Sequence, residues 1–448
     1  MPTCGLGATY VVAAEQRWGV RVIVRVIVRV VVRVGVQRRS ELKTSDLDYE
    51  LPQGRVALIP AEPRDSARLM VVSRSDASRL EHRTVRDLPS LLEPRDLMVF
   101  NTTRVVPARL VGVRSDTGGR VEGLYLAQSA AHQAAREEAR GGARSAADAG
   151  SGEREQWIVL LRAKRLREGV TVDLESVGAA LATTGGPAGV VRLRLIAKHE
   201  ETAGAWVVEV ESPGQAGGSL EKVGLTPLPP YILKARRDSG VNVGDALDRD
   251  RYQTVYAAHG SSVAAPTAGL HFTPGLLAAL AAQGVARADV RLDVGTGTFK
   301  PIESERVEDH PMHAEWCSVS AATARAIRAA KSSAGQEKGR VIAVGTTSAR
   351  TLEAFASPIL GDGHEADGAD REEQWPAEGE TRILIAPGYR WRCVDGLLTN
   401  FHLPRSTLLA MVGALFPEGV ERVKELYRVA IEREYRFYSY GDAMLVLP

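Results

Sequence analysis

The apolar pattern of this chain changes period part-way along, and that change bounds the fold. Between Val105 and Val210 the segments VVPARLVGV, QWIVLLRA, VVRLRLIA and AWVVEVE alternate apolar with polar residues or concentrate β-branched ones, with Gly-rich turns between. Several such strands in a row predict a barrel or sandwich, because each sheet must cover its apolar face. From about Pro227 helical and strand patterns alternate instead. PGLLAALAAQG predicts a helix closed by Gly284, ADVRLDVG a strand, and SAATARAIRAAKSS an amphipathic helix started by Ser320. GRVIAVG, TSARTLEAF, DGLLTNF and RSTLLAMVGALF continue as strand, helix, strand, helix, and VERVKELYRVAIEREY is the last long helix. Before the β-rich stretch, Tyr49 to Phe100 holds short apolar runs between Pro and Asp turns. The expected fold class is therefore α+β: a mixed α/β domain over 45–105 and 223–448, with an inserted β-barrel-like domain over 106–222.

Three segments do not fit a compact fold. Residues 1–44 contain VRVIVRVIVRVVVRV, with Arg21, Arg25, Arg29 and Arg33 at every fourth place. Charges so spaced are costly to bury in a bilayer, and a signal peptide carries its charge ahead of its apolar run. The segment reads as a disordered low-complexity tail, as a start assigned too far upstream, or as a basic arm for nucleic acid. Residues 127–152, rich in Ala, Gly, Ser and Arg, read as a flexible loop, and Gly361 to Glu380 as a solvated acidic one.

Composition then excludes several classes. The 448 residues are 44% hydrophobic and 25% charged, which suits a globular chain of two or three domains. A net charge of +2 excludes nucleic-acid binding by bulk charge but leaves room for local basic patches. The three cysteines, Cys4, Cys317 and Cys393, lie far apart, so neither a disulfide scaffold nor a Cys-rich zinc module is expected, and a reducing cytoplasm fits. No run of about 18 apolar residues predicts a membrane span.

Six blocks concentrate groups that do chemistry. In RVIAVGTTSARTLEAF a strand ends at Gly345 and a helix begins, so Gly345, Thr346, Thr347 and Ser348 read either as an anion-binding helix start or as a plain cap. DVGTGTFKPI places Gly295 and Gly297 beside Thr296 and Thr298; without a third glycine, and with Pro301 following, it is no dinucleotide fingerprint. It is a close-approach loop or a tight turn. EDHPMHAEW groups His310, His313 and Glu315; Pro311 disfavours a helical metal face, so acid/base work or a structural role is expected and no metal site. VAAPTAGLHFTP surrounds Thr267 and His271 with small residues, including Gly269, which either leave room for a ligand or pack closely. LLTNFHLPRSTLLAM puts Asn400, His402 and Ser406 at a strand-to-helix turn, where Ser406 is also a natural N-cap. EYRFYSYGDAM interleaves Tyr435, Arg436, Phe437, Tyr438 and Tyr440 ahead of Asp442, as a base-stacking strip or an aromatic core strand. Five of the nine histidines fall in or beside these blocks. The residues alone thus indicate a cytosolic enzyme with a polar site rich in His and Gly in an α/β unit.

These blocks, together with DYELP, PAEPRDSARLMV, DLMVFNTTRVVPARL, PLPPYI and DRYQTVYA, resemble in type and order the S-adenosylmethionine:tRNA ribosyltransferase-isomerases of queuosine biosynthesis. The resemblance runs from about Asp46 to Leu447. It implies an α/β catalytic unit with an inserted barrel. It also implies transfer of the ribosyl group of S-adenosylmethionine to 7-aminomethyl-7-deazaguanine at the tRNA wobble position. Isomerisation there gives epoxyqueuosine, and adenine and methionine leave. S-adenosylmethionine is then a substrate, and no metal or redox cofactor is implied. Partners would be the precursor tRNA and S-adenosylmethionine, with no membrane, and the chain would act as a cytoplasmic monomer.

A sulfonium acidifies the protons on the neighbouring ribose carbon and then leaves as a neutral thioether, so the protein must supply a base, an acid and groups that hold the ribose. On that reading His271, His310, His313 and His402 are the acid/base candidates, with Asp293 or Glu315 orienting them. Substrate contacts are expected from Asn101, Arg104, Thr267, Gly269, Gly295, Gly297, Thr298, Gly345, Thr346, Thr347, Ser348, Arg350, Asn400, Ser406, Tyr435, Arg436, Tyr440 and Asp442. Two basic clusters, Arg162, Lys164, Arg165, Arg167 and Lys234, Arg236, Arg237, are expected to touch tRNA phosphates. The chain departs from the family pattern at Asp293, where His is usual, at Thr102, where Asn or Asp is common, and at Arg405, where Glu is frequent. Two rival readings keep part of this: S-adenosylmethionine-dependent ribosyl transfer to a different acceptor, and a non-catalytic RNA-binding barrel protein.

Overall fold

Hydrophobic strands and amphipathic helices assemble here around one mixed sheet. The structure, a computed structural model, describes residues 42–129, 155–175, 191–211, 219–295, 301–332, 338–361 and 375–448. The Arg-rich repeat, most of the loops expected at 127–152 and 361–380, and the candidate residues Gly297 and Thr298 lie outside the described residues.

The strands, in chain order, are β1 (Arg68–Ser73), β2 (Leu80–Thr84), β3 (Leu97–Asn101), β4 (Thr103–Val105), β5 (Arg109–Arg114), β6 (Arg120–Gln128), β7 (Gln156–Arg162), β8 (Thr171–Leu174), β9 (Val191–Lys198), β10 (Ala205–Glu211), β11 (His259–Ser262), β12 (Ala286–Leu292), β13 (Glu315–Val319), β14 (Val341–Val344), β15 (Ala377–Thr381), β16 (Gly396–Asn400) and β17 (Ala443–Leu447). Nine of them form a sheet in the order β15-β13-β12-β3-β14-β16-β17-β1-β2. Its centre, β12-β3-β14-β16, is parallel, and β17 runs antiparallel to β16.

Both faces of that centre are covered, which is why its strands read as unbroken apolar runs. Val99, Ala343 and Leu397 point into one core with Ala324, Ile327, Leu352 and Leu426 from the helices Ala321–Lys331, Thr346–Ala354 and Val420–Glu432. The alternate residues Met98, Phe100, Ile342 and Leu398 point into a second core with Leu276 and Leu280 of the helix Pro274–Ala282. The caps are those the sequence predicts. Ser320 accepts from Thr323 N, Ser406 from Leu409 N, and Gly284 takes a φ of +80° after its helix.

β5 to β10 close into a six-stranded barrel, in the order β10-β7-β6-β5-β8-β9. Alternate residues such as Trp157, Val159, Leu193 and Val208 fill its interior. The barrel stands in the chain between β3 and β12, neighbours in the large sheet, so the sheet's strands flank it on both sides in sequence. Where the chain enters and leaves the barrel the two ends pair, with Arg109 bridging Leu225. A Cβ on Gly224 would lie 1.8 Å from the carbonyl oxygen of Pro107, so only glycine permits this approach. Ahead of the sheet, Thr44–Leu47 forms a short 3-10 turn with Leu47 fully buried, and Lys43 bridges Arg306. Among the described residues no helix is long and apolar enough to cross a membrane.

Candidate active site

The carboxyl ends of the adjacent parallel strands β14 and β16 open into a cavity of about 280 Å³. Ligands of α/β sheets gather at this end, because strands deliver their following loops and helix starts there. β14 stops at Gly345, whose φ of +87° is costless for glycine, and the helix Thr346–Ala354 begins at once. Gly345, Thr346 and Thr347 line the cavity. The first N–H groups of a helix have no intrahelical partner and sit at the positive end of its dipole. The buried Thr347 Oγ1 has no hydrogen-bond partner among the described residues. Such a helix start can cradle an anion, with the Thr347 hydroxyl as a further donor.

β16 supplies the second wall through Thr399, Asn400 and the following Phe401 and His402. His402 is held at three points. Its Nε2 pairs with Thr399 Oγ1 at 2.7 Å, its backbone N–H donates to Tyr427 Oη at 2.8 Å, and its carbonyl accepts from Tyr49 Oη. Burial pushes its imidazole pKa down to about 3, so it is neutral across the physiological range. Among the described residues lining the cavity, His402 is the only imidazole, and no carboxylate, ammonium or guanidinium lines it.

Behind this wall runs a short relay. Thr267 Oγ1 donates to Asn400 Oδ1 at 2.8 Å, which leaves the Asn400 amide to face His271 Nε2 at 3.3 Å. An amide nitrogen only donates, so Nε2 of His271 is the unprotonated, accepting atom. Burial, with Arg436 and Arg64 adding repulsion, lowers the His271 pKa to about 4, which agrees with that tautomer. His271 is thus one side chain removed from the cavity, where it fixes Asn400.

A second polar group lies on the β12 side. Glu315 and Arg350 form a buried ion pair, and Glu315 Oε1 also accepts from Gly295 N at 3.4 Å. Nε and Nη2 of Arg350 have no hydrogen-bond partner among the described residues. Asp293 pairs with Arg291 and accepts from Thr103 Oγ1 at 2.7 Å. The Asp293 carboxylate is therefore already engaged. Arg405 pairs with Asp48, and Thr102 Oγ1 donates to the Val290 carbonyl at 3.3 Å.

Burial places several of the expected contact residues away from the cavity surface. Gly269 does not leave room for a ligand: a Cβ there would meet Tyr256 Oη at 2.0 Å, so the close-packing reading holds, while Ala265 and Ala268 line the cavity. Asn101 is spent on the sheet, donating to Leu292 O and accepting from Leu292 N and Thr103 N. Ser348 is fully buried and donates to Val344 O. Tyr435 and Tyr440 form no stacking strip. Tyr435 is buried beneath Arg68 with its hydroxyl on His82, and Tyr440 packs edge-on against Tyr252. Asp442 is buried and accepts from the backbone of Arg68 and Arg436, which ties that turn together.

Ser406 borders the cavity but spends its side chain as an N-cap. His310 is half-buried, His313 and Arg104 are exposed, and none of the three lines the cavity. Among the described residues no group of three or more His, Cys, Asp and Glu is placed to hold a metal. Arg162 at the end of β7 and Lys164, Arg165 and Arg167 on the turn after it are exposed, as are Lys234 and Arg237 on the helix Pro230–Asp238. Arg236 on the same helix is buried in a two-pronged pair with Asp248, at 2.6 and 2.8 Å. Tyr438, named within the aromatic strip, does line the cavity, whereas residue-type reasoning missed Thr399 and Tyr231 as cavity walls. Each lies inside or beside a motif block, but neither carries a charge or an imidazole to mark it.

The family model described as "Queuosine biosynthesis protein" matches residues 44–446. The chain belongs to that family. The match takes in the sheet, the barrel and every cavity wall named above. A protein of Gloeobacter violaceus named S-adenosylmethionine:tRNA ribosyltransferase-isomerase is 44% identical over 407 residues, covering 90% of this chain and 96% of that one. A Moorella thermoacetica protein of the same name is 41% identical over 409 residues, covering 91% of this chain and 100% of its own. A solved structure, S-adenosylmethionine tRNA ribosyltransferase from Thermotoga maritima, is 28% identical with a TM-score of 0.42, covering 90% of this chain and 100% of that one.

Proposed function

We propose that this queuosine-family chain moves the ribosyl group of S-adenosylmethionine onto 7-aminomethyl-7-deazaguanine at the wobble position of tRNA, and isomerises it to give epoxyqueuosine with release of adenine and methionine. One observation carries the reading. His402, the only imidazole on the cavity wall among the described residues, shares that cavity with the helix start at Gly345–Thr347.

The roles follow from the geometry. The methionine carboxylate sits at the helix start, on its free N–H groups and the Thr347 hydroxyl. The sulfonium acidifies the ribose C5′ protons, which is what allows a weak base to work. His402, neutral at pH 7 and steadied by Thr399, takes one of them. Burial that makes its imidazole a weak base makes the imidazolium a strong acid, so the same proton passes readily to departing adenine. The thioether leaves uncharged. The sulfonium is the electron sink, and the proposed reaction draws on no metal or redox group.

Exposed Arg162, Lys164, Arg165 and Arg167 on the barrel, with Lys234 and Arg237, contact tRNA phosphates. The protein acts as a monomer in the cytoplasm, with the barrel over 106–222 as an inserted unit. The test is to incubate the protein with S-adenosylmethionine and tRNA bearing the deazaguanine precursor. Mass gain on the tRNA with equimolar adenine and methionine is expected. An unchanged tRNA mass with folded protein and intact substrates overturns the reading.

A further inference from the structure

The cavity has an aromatic corner that the roles above leave unused. Tyr231, near the start of the helix Pro230–Asp238, and Tyr438, in the turn before β17, both line it. Their ring centroids lie 4.8 Å apart with planes inclined at 59°. The two rings therefore form an open angle rather than a closed stack. The Tyr231 hydroxyl is already engaged, pairing with Ser439 Oγ, and the Tyr438 hydroxyl lies near that of Tyr49. What the pair offers to the cavity is ring surface, not donors.

The backbone at Tyr438 points the same way. Its φ is +73°, a conformation that glycine adopts freely and a bulky side chain does not. Two hydrogen bonds hold it there, Tyr438 N to Phe401 O at 3.1 Å and Gly441 N to Tyr438 O at 3.0 Å. Phe437 just before it is fully buried in the core. The left-handed residue turns the chain so that the next ring borders the cavity. Strain retained at a ligand wall marks a position where the side chain has work to do.

Tyr231 is equally fixed. Its helix is pinned by Arg236, which donates to Leu58 O at 2.9 Å and pairs with Asp248. A rigid pair of aromatic faces in a cavity is a platform for a flat heteroaromatic ring, through offset stacking on one face and edge contact with the other.

We infer that Tyr231 and Tyr438 form the base-recognition corner of this site and take a purine-like ring. The inference rests on the proposed reaction, which brings two such rings: the adenine of S-adenosylmethionine and the deazaguanine of tRNA. The experiment separates them. Full-length wild type and the variants Tyr231→Leu, Tyr438→Leu, Tyr231→Phe and Tyr438→Phe are titrated by calorimetry with S-adenosylmethionine. In a second arm they are titrated with tRNA bearing the deazaguanine and with the same tRNA bearing guanine.

The Leu variants should lose about tenfold to a hundredfold in one arm. The Phe variants, which keep the ring, should stay within about threefold of wild type. Loss in the S-adenosylmethionine arm assigns the corner to adenine. Loss of the difference between the two tRNAs assigns it to the deazaguanine. Folded Leu variants that bind both ligands like wild type overturn the inference, as do Phe variants that lose as much as Leu. Should the Leu variants not fold, nuclear Overhauser contacts between the Tyr231 or Tyr438 ring protons and ligand base protons in the wild type decide, and their absence overturns it. If the wild type takes up neither ligand, the proposed reaction falls and this inference with it. If the wild type turns over and the Leu variants match it, only this inference falls.

Discussion

Two buried neutral histidines make the fold sensitive to acid over a defined window. Burial holds His402 at about 3 and His271 at about 4, against 6.5 when solvated. Below pH 6.5 the unfolded chain binds a proton on each, while the folded chain does not until the lower values are reached. The unfolded state then holds more protons, so stability falls as pH falls. The contribution is fully present above pH 6.5 and is lost on descent towards pH 4 for His271 and pH 3 for His402. Each group contributes a slope of roughly 1.4 kcal/mol per pH unit within its window. Between pH 6.5 and 5 that is roughly 2 kcal/mol each and roughly 4 together, a large part of a domain's usual margin.

The assay is denaturant unfolding at pH 8, 6.5, 5.5 and 5 for the wild type, His271→Gln, His402→Gln and the double variant. Whatever each variant's offset at pH 8, its slope below pH 6.5 should be shallower than wild type by about 1.4 kcal/mol per pH unit for each histidine removed. Carboxylates contribute equally to all four proteins and cancel in the comparison. Equal slopes for wild type and double variant would refute the argument.

Other expectations follow from the same contacts. Asp248→Ala leaves the Arg236 guanidinium buried without its carboxylate and should cost about 3–5 kcal/mol in unfolding free energy, while Arg236→Met with Asp248→Leu should recover much of it. Gly224→Ala drives a methyl into the Pro107 carbonyl where the barrel joins the sheet, and should destabilise by at least about 1–3 kcal/mol. Thr347→Val removes a hydroxyl at the helix start that has no partner among the described residues and should raise KM for S-adenosylmethionine several-fold with kcat little changed, in steady-state assays of adenine release. Charge reversal of Arg162, Lys164, Arg165 and Arg167 should weaken tRNA binding irrespective of sequence and flatten its salt dependence, read from filter binding at graded salt.

The chain's local patterns settled its architecture. Period-two alternation in QWIVLLRA and VVRLRLIA marked the barrel, the unbroken apolar GRVIAVG and DGLLTNF marked strands covered on both faces, and Ser320 and Ser406 marked helix starts. These signals are short-range: a strand's period, a cap's side chain and a glycine's φ each act within a few residues. The resemblance carried by VAAPTAGLHF, TNFHLP and FYSYGDAM was legible too, because a motif is a string. What the string did not order was the rank among its histidines and tyrosines.

His271 and His402 look alike in sequence, yet one lines the cavity and the other stands behind Asn400. Tyr435 and Tyr438 are three residues apart, yet one is buried beneath Arg68 and the other borders the cavity on a strained backbone. Arg236 and Arg237 are adjacent, yet one is buried on Asp248 and the other exposed. Those assignments depend on neighbours up to hundreds of residues away along the chain, as Tyr49 on His402 and Arg68 on Tyr435 show. Burial and partnership are properties of the packed whole, so only the tertiary structure decided which of the chemically capable residues meet at one place.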